Sequence, residues 1–386
     1  MIILKEKKDC VGCSACEQVC PKHCIAMRKD EEGFLYPSVD RGLCVDCHLC
    51  EKVCPVLNDL NINMSKPIAI GGYNKNEEIR RQSSSGGFFT LLAEYVINHR
   101  GVVFGARWNE NWEVVHDYTE SIDGIAAFRG SKYVQSRMGK QFSRVKDFLK
   151  KGRLVLFSGT PCQIKGLKLF LRKDYPLLIT IDFVCHGVPS PMIWSEYLDS
   201  LPCVREDITD IYFRDKSHGW REFRFLILGG DFIEDNRYTD NIYMKGFLRN
   251  LYLRPSCYFC PSKKGRSDAD ATMADFWKIW DIKPSLYDDK GTTLLLLHSQ
   301  KIVKIYQKLN FFAQEFNYQD ASSANPCYFK SVALLPNRAR FFTFWNKNRN
   351  LTKAVHKALN PLSLQVILFI KRTLRGMLSL IGNIKR

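Results

Sequence analysis

CVGCSACEQVCP (residues 10–21) and CVDCHLCEKVCP (residues 44–55) decide how the chain begins. Each run places three cysteines two residues apart and a fourth three residues on, followed by proline. This is the spacing that holds paired [4Fe-4S] clusters, with the fourth cysteine of each run reaching across to the other cluster. One cluster is therefore assigned to Cys10, Cys13, Cys16 and Cys54, and a second to Cys44, Cys47, Cys50 and Cys20. Zinc also uses Cys-x2-Cys pairs, but eight cysteines in a doubled run with both prolines do not suit it.

The chain has 386 residues, of which 45% are hydrophobic and 25% charged, the make-up of a globular protein of two or three domains. Fifteen cysteines would suit a disulfide-rich secreted protein. However, the start MIILKEKKDC has too short an apolar run for a signal peptide, and the cluster runs need reduced thiols. The expected compartment is the cytoplasm. The formal charge of +17 is uneven: residues 331–386 carry eleven Lys or Arg and no acid, leaving +6 for the rest. Clusters of about −2 each would neutralise that remainder. No basic run with interleaved aromatics marks a nucleic-acid site, so no nucleic-acid partner is expected.

The pattern predicts an α+β ferredoxin-like two-cluster domain over 1–60, repeating internally at an offset of 34 residues, and a polar linker over 58–67. An α/β body with a mixed sheet follows. Strands are expected at 101–106, 112–118, 153–157, 177–184, 211–214, 223–228 and 293–297, and helices at 86–99, 140–150 and 162–172. A helical tail closes the chain.

Four body cysteines sit in local signatures. Cys162, in SGTPCQ, starts a predicted helix after a strand, a position that favours a thiolate. Cys185, in DFVCHGVP, ends a strand, and Cys257 and Cys260 form a Cys-x2-Cys pair. Loops at strand ends converge on one edge of an α/β sheet. The four therefore share a third [4Fe-4S] cluster, or hold zinc, or divide into a Cys162–Cys185 redox pair and a structural Cys-x2-Cys. Cys24, Cys203 and Cys327 read as free buried thiols. SSSGG (83–87) precedes a helix and offers hydroxyls and N–H groups to a phosphate, or is an ordinary helix start. RGSKY (129–133), RDKSHGW (214–220) and DFW (275–277) place polar groups beside aromatics. No dinucleotide or P-loop fingerprint occurs.

Read in order, SSSGG, GSKYVQS (130–136), SGTPCQ (158–163), DFVCHGVPS (182–190), FRDKSHGW (213–220), RPSCYFC (254–260) and ADFW (274–277) resemble the coenzyme F420 hydrogenase/dehydrogenase beta-subunit family, over about residues 1–300. The resemblance divides the body into an N-terminal-type region at 66–145 and a C-terminal-type flavin and cluster region at 150–330. It implies an iron–sulfur flavoprotein with FAD and a [4Fe-4S] cluster in the body, and makes Cys162, Cys185, Cys257 and Cys260 ligands of that cluster. Ser85, Gly86, Lys132, Gln163, His186 and Lys216 become candidates for the flavin surroundings, with His186 and Lys216 as candidate catalytic proton donors. Where the family tends to read GDFWG, this chain has Ala274 and Lys278 at the ends. The family also includes bacterial members from surface-polysaccharide gene clusters, and the basic tail is similar to that branch.

The tail, 331–386, places Ile367, Ile370, Leu374, Met377, Ile381 and Ile384 at helical spacing opposite Lys371, Arg372 and Arg375. Such a helix lies at an anionic membrane surface or docks on its own body. The expected function is an oxidoreductase exchanging electrons with ferredoxin or another redox protein and acting on a small-molecule substrate. Its rivals are an electron-transfer subunit without a substrate site and a thiol–disulfide reductase using Cys162 and Cys185.

Overall fold

The structure, a computed structural model, describes residues 1–60 and 66–360. In the N-terminal domain β1 (Ile25–Lys29) and β2 (Leu35–Val39) pair antiparallel, with Ile25 opposite Val39. Two short helices, Ala15–Val19 and Leu49–Lys52, carry the third cysteine of each run, Cys16 and Cys50. Each follows a residue in the left-handed region, Ser14 at φ 61° and His48 at φ 57°. The offset of 34 residues is thus a repeat of backbone conformation as well as of letters.

The body is built on an eight-stranded mixed sheet. Its strands are β3 (Ile68–Asn74), β4 (Val102–Trp108), β5 (Val114–Thr119), β6 (Val155–Ser158) and β7 (Leu178–Phe183), with three more from later in the chain. Between them run β8 (Ile208–Asp215), β9 (Arg224–Gly229) and β10 (Phe232–Arg237), and the sheet is completed by β11 (Ala271–Asp275), β12 (Thr293–Leu297) and β13 (Phe311–Phe316). Its order is β13-β3-β12-β11-β7-β6-β4-β5, and β4, β6, β7 and β11 at its centre are parallel. The inner strands are apolar on both faces, as strands covered on both sides must be. Val103, Leu156 and Ile179 point to one layer, with Phe88, Leu92 and Val96 of the helix Phe88–Asn98. Val102, Phe104 and Phe157 point to the other, with Phe142 and Val145 of Gln141–Lys150 and Ile164 and Leu167 of Pro161–Leu171.

The 211–214 and 223–228 segments form strands but do not join this sheet. β8, β9 and β10 make a separate antiparallel sheet. The reason lies in β9, whose residues alternate between buried and half-buried, fitting one covered face and one wet one. Its covered face packs an aromatic core of Trp194, Tyr197, Phe213, Phe225 and Tyr243. That same core takes in Phe341, Trp345, Val355 and Ala358, so the first part of the basic stretch from 331 belongs to the body as helices Asn337–Asn348 and Leu351–Leu359. The amphipathic helix read at 367–384 lies outside the described residues, as do 61–65 of the linker. Among the described residues no helix is long and apolar enough to cross a membrane.

The N-terminal domain is packed into the body's core. Val11, Cys13, Ala15 and Val53 share one buried cluster with the helices Gln141–Lys150 and Pro161–Leu171. A Cβ on Gly166 would stand 3.0 Å from Cys13 Sγ, and one on Gly33 (φ +84°) only 2.2 Å from Met192 Cβ. Glu32 accepts from the Arg338 guanidinium at 2.9 Å, and Gln18 Oε1 accepts from the Ser143 N–H at 3.0 Å. Gly166→Leu should therefore lower stability by about 1–3 kcal/mol through overpacking. Denaturant unfolding checks this, with hydrogen exchange showing the loss concentrated at residues 10–20 and 161–171.

Candidate functional site

The first cysteine quartet assembles around the two short helices. Burial pushes the Cys13 thiol well up, and Cys16, Cys54 and Cys10 lie close enough to raise it further. Cys16 is likewise raised by burial and then by Cys10 and Cys54. Its neighbourhood also includes Cys50 of the second quartet. Cys20, Cys44, Cys47 and Cys50 line one small hollow with Met1, Val39 and His48. Both groupings are those expected from the spacing. Cys47 is exposed, while Cys20 and Cys50 are buried. Cys24, which showed no context in the sequence, lines the same hollow with its Sγ 3.4 Å from that of Cys20. The antiparallel start of β1 puts it there, and no local motif announces it.

The body quartet forms from separate elements. β6 ends at Ser158, and the helix Pro161–Leu171 follows with Thr160 and Gln163 as a reciprocal cap. Cys162 stands in that first turn. β7, beside β6, ends at Phe183 and delivers Cys185. Cys257 and Cys260 arrive from the turn Pro255–Phe259. The Cys185 thiol is raised by burial, and Cys257, Cys162 and Cys260 add to the effect. The helix start was expected to favour a Cys162 thiolate. Instead burial, with Cys260 and Cys257 nearby, pushes Cys162 up to about 12. Desolvation outweighs both the helix dipole and the Arg254 charge, which offsets it only in part. Cys257 is pushed up to about 11 by burial. Such thiols are poor nucleophiles but suit ligands whose protons leave when a metal binds. Among the described residues no three His, Cys, Asp or Glu converge tightly enough for a single ion.

Cys185 and His186 form one wall of a cavity of about 550 Å³. Volumes of about 300–1,000 Å³ are usual for cofactor pockets. Its walls come from the loops after β6, β7 and β11, the 129–136 segment and the SSSGG loop, roofed by Arg214, Phe223 and Phe247. Of the sequence candidates, Ser85, Lys132, Gln163 and His186 line it. Ser85 Oγ donates to the Thr292 carbonyl at 2.9 Å. Gln163 donates to Ser136 Oγ at 2.9 Å and accepts from the Thr160 N–H at 2.9 Å. Ser136 in turn meets His116 Nδ1 at 2.8 Å, and burial pushes His116 down to about 4, so it is neutral. The Lys132 ammonium donates to the Arg129 carbonyl at 3.0 Å, and burial pushes it down to about 7.

Gly86 and Lys216 are placed elsewhere. The Gly86 N–H donates to Thr293 Oγ1 at 2.8 Å, and a Cβ there would strike the Gly72 carbonyl at 2.6 Å. Lys216 donates to the carbonyls of Arg80, Ser85 and Lys290 at 2.7, 2.9 and 2.6 Å. It ties the SSSGG loop down from behind and presents no proton to the cavity. A side chain saturated by tertiary carbonyls is invisible in a local motif.

Arg214, Asp275 and Trp277 come from segments that the sequence marked without giving them a role, whereas Cys327 stood in no motif. Arg214 pairs with Asp275, whose Oδ1 also accepts from Trp220 Nε1 at 2.9 Å. Arg214 Nε is buried without a partner among the described residues. His186 Nε2 lies 2.7 Å from Asn250 Oδ1, and its Nδ1 lies 3.7 Å from Cys327 Sγ, so the thiol read as merely buried stands on the cavity wall. Trp277 stacks on Trp220 at 4.9 Å and 4°. An open, partly apolar chamber with an orphaned guanidinium N–H, a desolvated lysine and flat aromatic walls fits an anionic cofactor with a planar ring.

Comparisons with known proteins bear on this geometry. Residues 152–315 match the model of the C terminus of the coenzyme F420 hydrogenase/dehydrogenase beta subunit, and residues 9–58 match a 4Fe-4S dicluster domain. The two matches support the resemblance to the coenzyme F420 hydrogenase/dehydrogenase beta-subunit family over those residues. A chain in the F420-reducing [NiFe] hydrogenase complex from Methanosarcina barkeri, solved as a xenon derivative, is 14% identical. That match covers 66% of this chain and 85% of that one, at a TM-score of 0.45. No curated protein matches. The chain thus joins a 4Fe-4S dicluster domain to a region similar to the C terminus of a redox-enzyme subunit. Its departure from GDFWG is informative. Lys278 sits at φ 63°, the left-handed region that the family's glycine enters freely, so the turn persists without the glycine.

Asp275→Ala removes the one carboxylate that pairs with Arg214 among the described residues and strands a buried cation. It should cost about 3–5 kcal/mol. Denaturant unfolding measures this, and the double variant with Arg214→Leu should recover most of it.

Proposed function

We propose that the chain is an iron–sulfur flavoprotein oxidoreductase acting on a small organic substrate, with ferredoxin or another redox protein as its electron partner. The observation that carries this reading is the succession of cysteine quartets ending on the cavity. Cys47 is exposed in the second quartet, Cys50 neighbours Cys16 of the first, Cys13 packs on the helix bearing Cys162, and Cys185 lines the cavity. Cys162, Cys185, Cys257 and Cys260 would hold a third [4Fe-4S] cluster and the cavity would hold FAD, which when bound links one-electron carriers to two-electron chemistry. The substrate is coenzyme F420 or a metabolite of surface-polysaccharide assembly.

The chain's own groups would act by position. Gln163, held by the Thr160 cap and Ser136, presents a fixed amide to the cavity floor. With Nε2 donating to Asn250, His186 leaves Nδ1, 3.7 Å from Cys327 Sγ, as the ring's proton acceptor. Its ring is kept neutral by burial. Lys132 and Arg214 offer positive charge to phosphate or to an electron-rich ring. The raised thiols of Cys162 and Cys257 weigh against the thiol–disulfide reductase, whose attacking cysteine needs an accessible thiolate.

Anaerobic purification with iron, sulfide and released-flavin analysis tests the reading. It should give about twelve irons and one FAD per chain. About eight irons and no flavin would overturn it. Lys132 gives a pH test. Because its folded value is about 7, it is charged below that and neutral above, so retention of an anionic flavin should weaken as pH rises from about 6 to about 8. Lys132→Met should weaken flavin retention about tenfold near pH 6 and flatten this dependence, as read by dialysis and flavin fluorescence.

A further inference from the structure

Among the described residues four arginine side chains are largely buried, and three of them have carboxylates. Arg80 meets Asp288 at 2.7 and 2.6 Å, Arg214 pairs with Asp275, and Arg338 with Glu32. Arg254, only 1% exposed, pairs with no carboxylate among the described residues. Its Nε donates to the Cys10 carbonyl at 2.7 Å, and its two terminal nitrogens donate to Gln135 Oε1 at 3.0 Å and the Leu35 carbonyl at 2.9 Å. Its plane lies 4.3 Å from the Tyr36 ring. Every hydrogen bond is to a neutral group. A buried cation so placed is costly unless a negative charge stands nearby.

The sites flanking it are the two quartets. Cys10 opens the first, and its carbonyl is held directly. On the other side Arg254 is three residues from Cys257, whose N–H donates to the Arg254 carbonyl at 2.9 Å. A Cβ on Gly12 would stand 2.8 Å from an Arg254 terminal nitrogen, so the first quartet's loop wraps the guanidinium closely. Lys263 repeats the pattern beside the body quartet, donating to the Cys185 and Cys327 carbonyls at 2.7 Å each.

We propose that Arg254 is a positioning residue whose countercharge is the pair of anionic clusters it separates, so that it raises the potential of both and orients the N-terminal domain for electron exchange. This rests on the third-cluster reading above. Arg254 forms no bond with iron or substrate. It stabilises the more negative, reduced state of each flanking cluster by Coulombic attraction through a dry interior.

The test is a redox titration of the purified holoprotein followed by electron paramagnetic resonance, with iron counted in every variant. Arg254→Met should lower the potentials of the first and body clusters by roughly tenfold in the one-electron equilibrium, about 59 mV, and leave the second N-terminal cluster unmoved. Arg254→Lys, which keeps the charge, should stay near the wild type. Loss of iron from Arg254→Met alone also supports the proposal. Loss from both variants, equal shifts in both, or unmoved potentials at full iron would overturn it. Wild-type protein with about eight irons would instead defeat the third-cluster reading itself, and the two-cluster countercharge with it.

Discussion

The seam where Cys13 packs on Gly166 and Arg254 holds the Cys10 carbonyl organises the molecule. A glycine is needed there because a Cβ would reach to 3.0 Å from the Cys13 sulfur. An arginine spans it because one guanidinium can satisfy three acceptors from separate segments, Cys10, Leu35 and Gln135. Together they make the N-terminal cysteine domain part of the body's core rather than an appendage. The helix Pro161–Leu171 is the shared element, since its first turn carries Cys162 and its middle receives Cys13.

The sheet explains the rest of the arrangement. Parallel β6, β7 and β11 end on the same edge, so their following loops bring SGTPCQ, the Cys185–His186 segment and Asp275–Trp277 around one chamber. The separate antiparallel sheet supplies Arg214 and Phe223 as roof, backed by packed aromatics that fix their positions. The chamber is thus walled by polar loop residues on the sheet side and by an aromatic layer above. Burial, more than helix dipoles, sets the protonation of its groups. It raises Cys162, keeps His116 and His186 neutral, and lowers Lys132.

Much of this was legible beforehand. The cysteine runs announced both N-terminal quartets, because cluster ligation imposes a spacing that survives in the linear chain. The strands at 153–157, 177–184 and 293–297 were visible because central strands are apolar on both faces. The placement of 211–214 and 223–228 was not, since alternation marks a half-covered strand without saying which sheet it joins. Lys216 and Gly86 stood in suggestive motifs yet serve the SSSGG loop from behind the wall. Cys24 and Cys327 stood in no motif yet reach the second quartet's hollow and the cavity.

The sequence by itself determined the N-terminal 4Fe-4S dicluster domain, because its cysteine spacing is local and spans only a few residues. Only the tertiary structure decided which groups face the cavity, which are held by backbone carbonyls, and which cations lack a carboxylate. Those outcomes depend on partners far along the chain, such as Arg254 with Cys10 and Lys216 with Arg80. Solvent exclusion then fixes their charge, and neither separation nor burial is written in a local pattern.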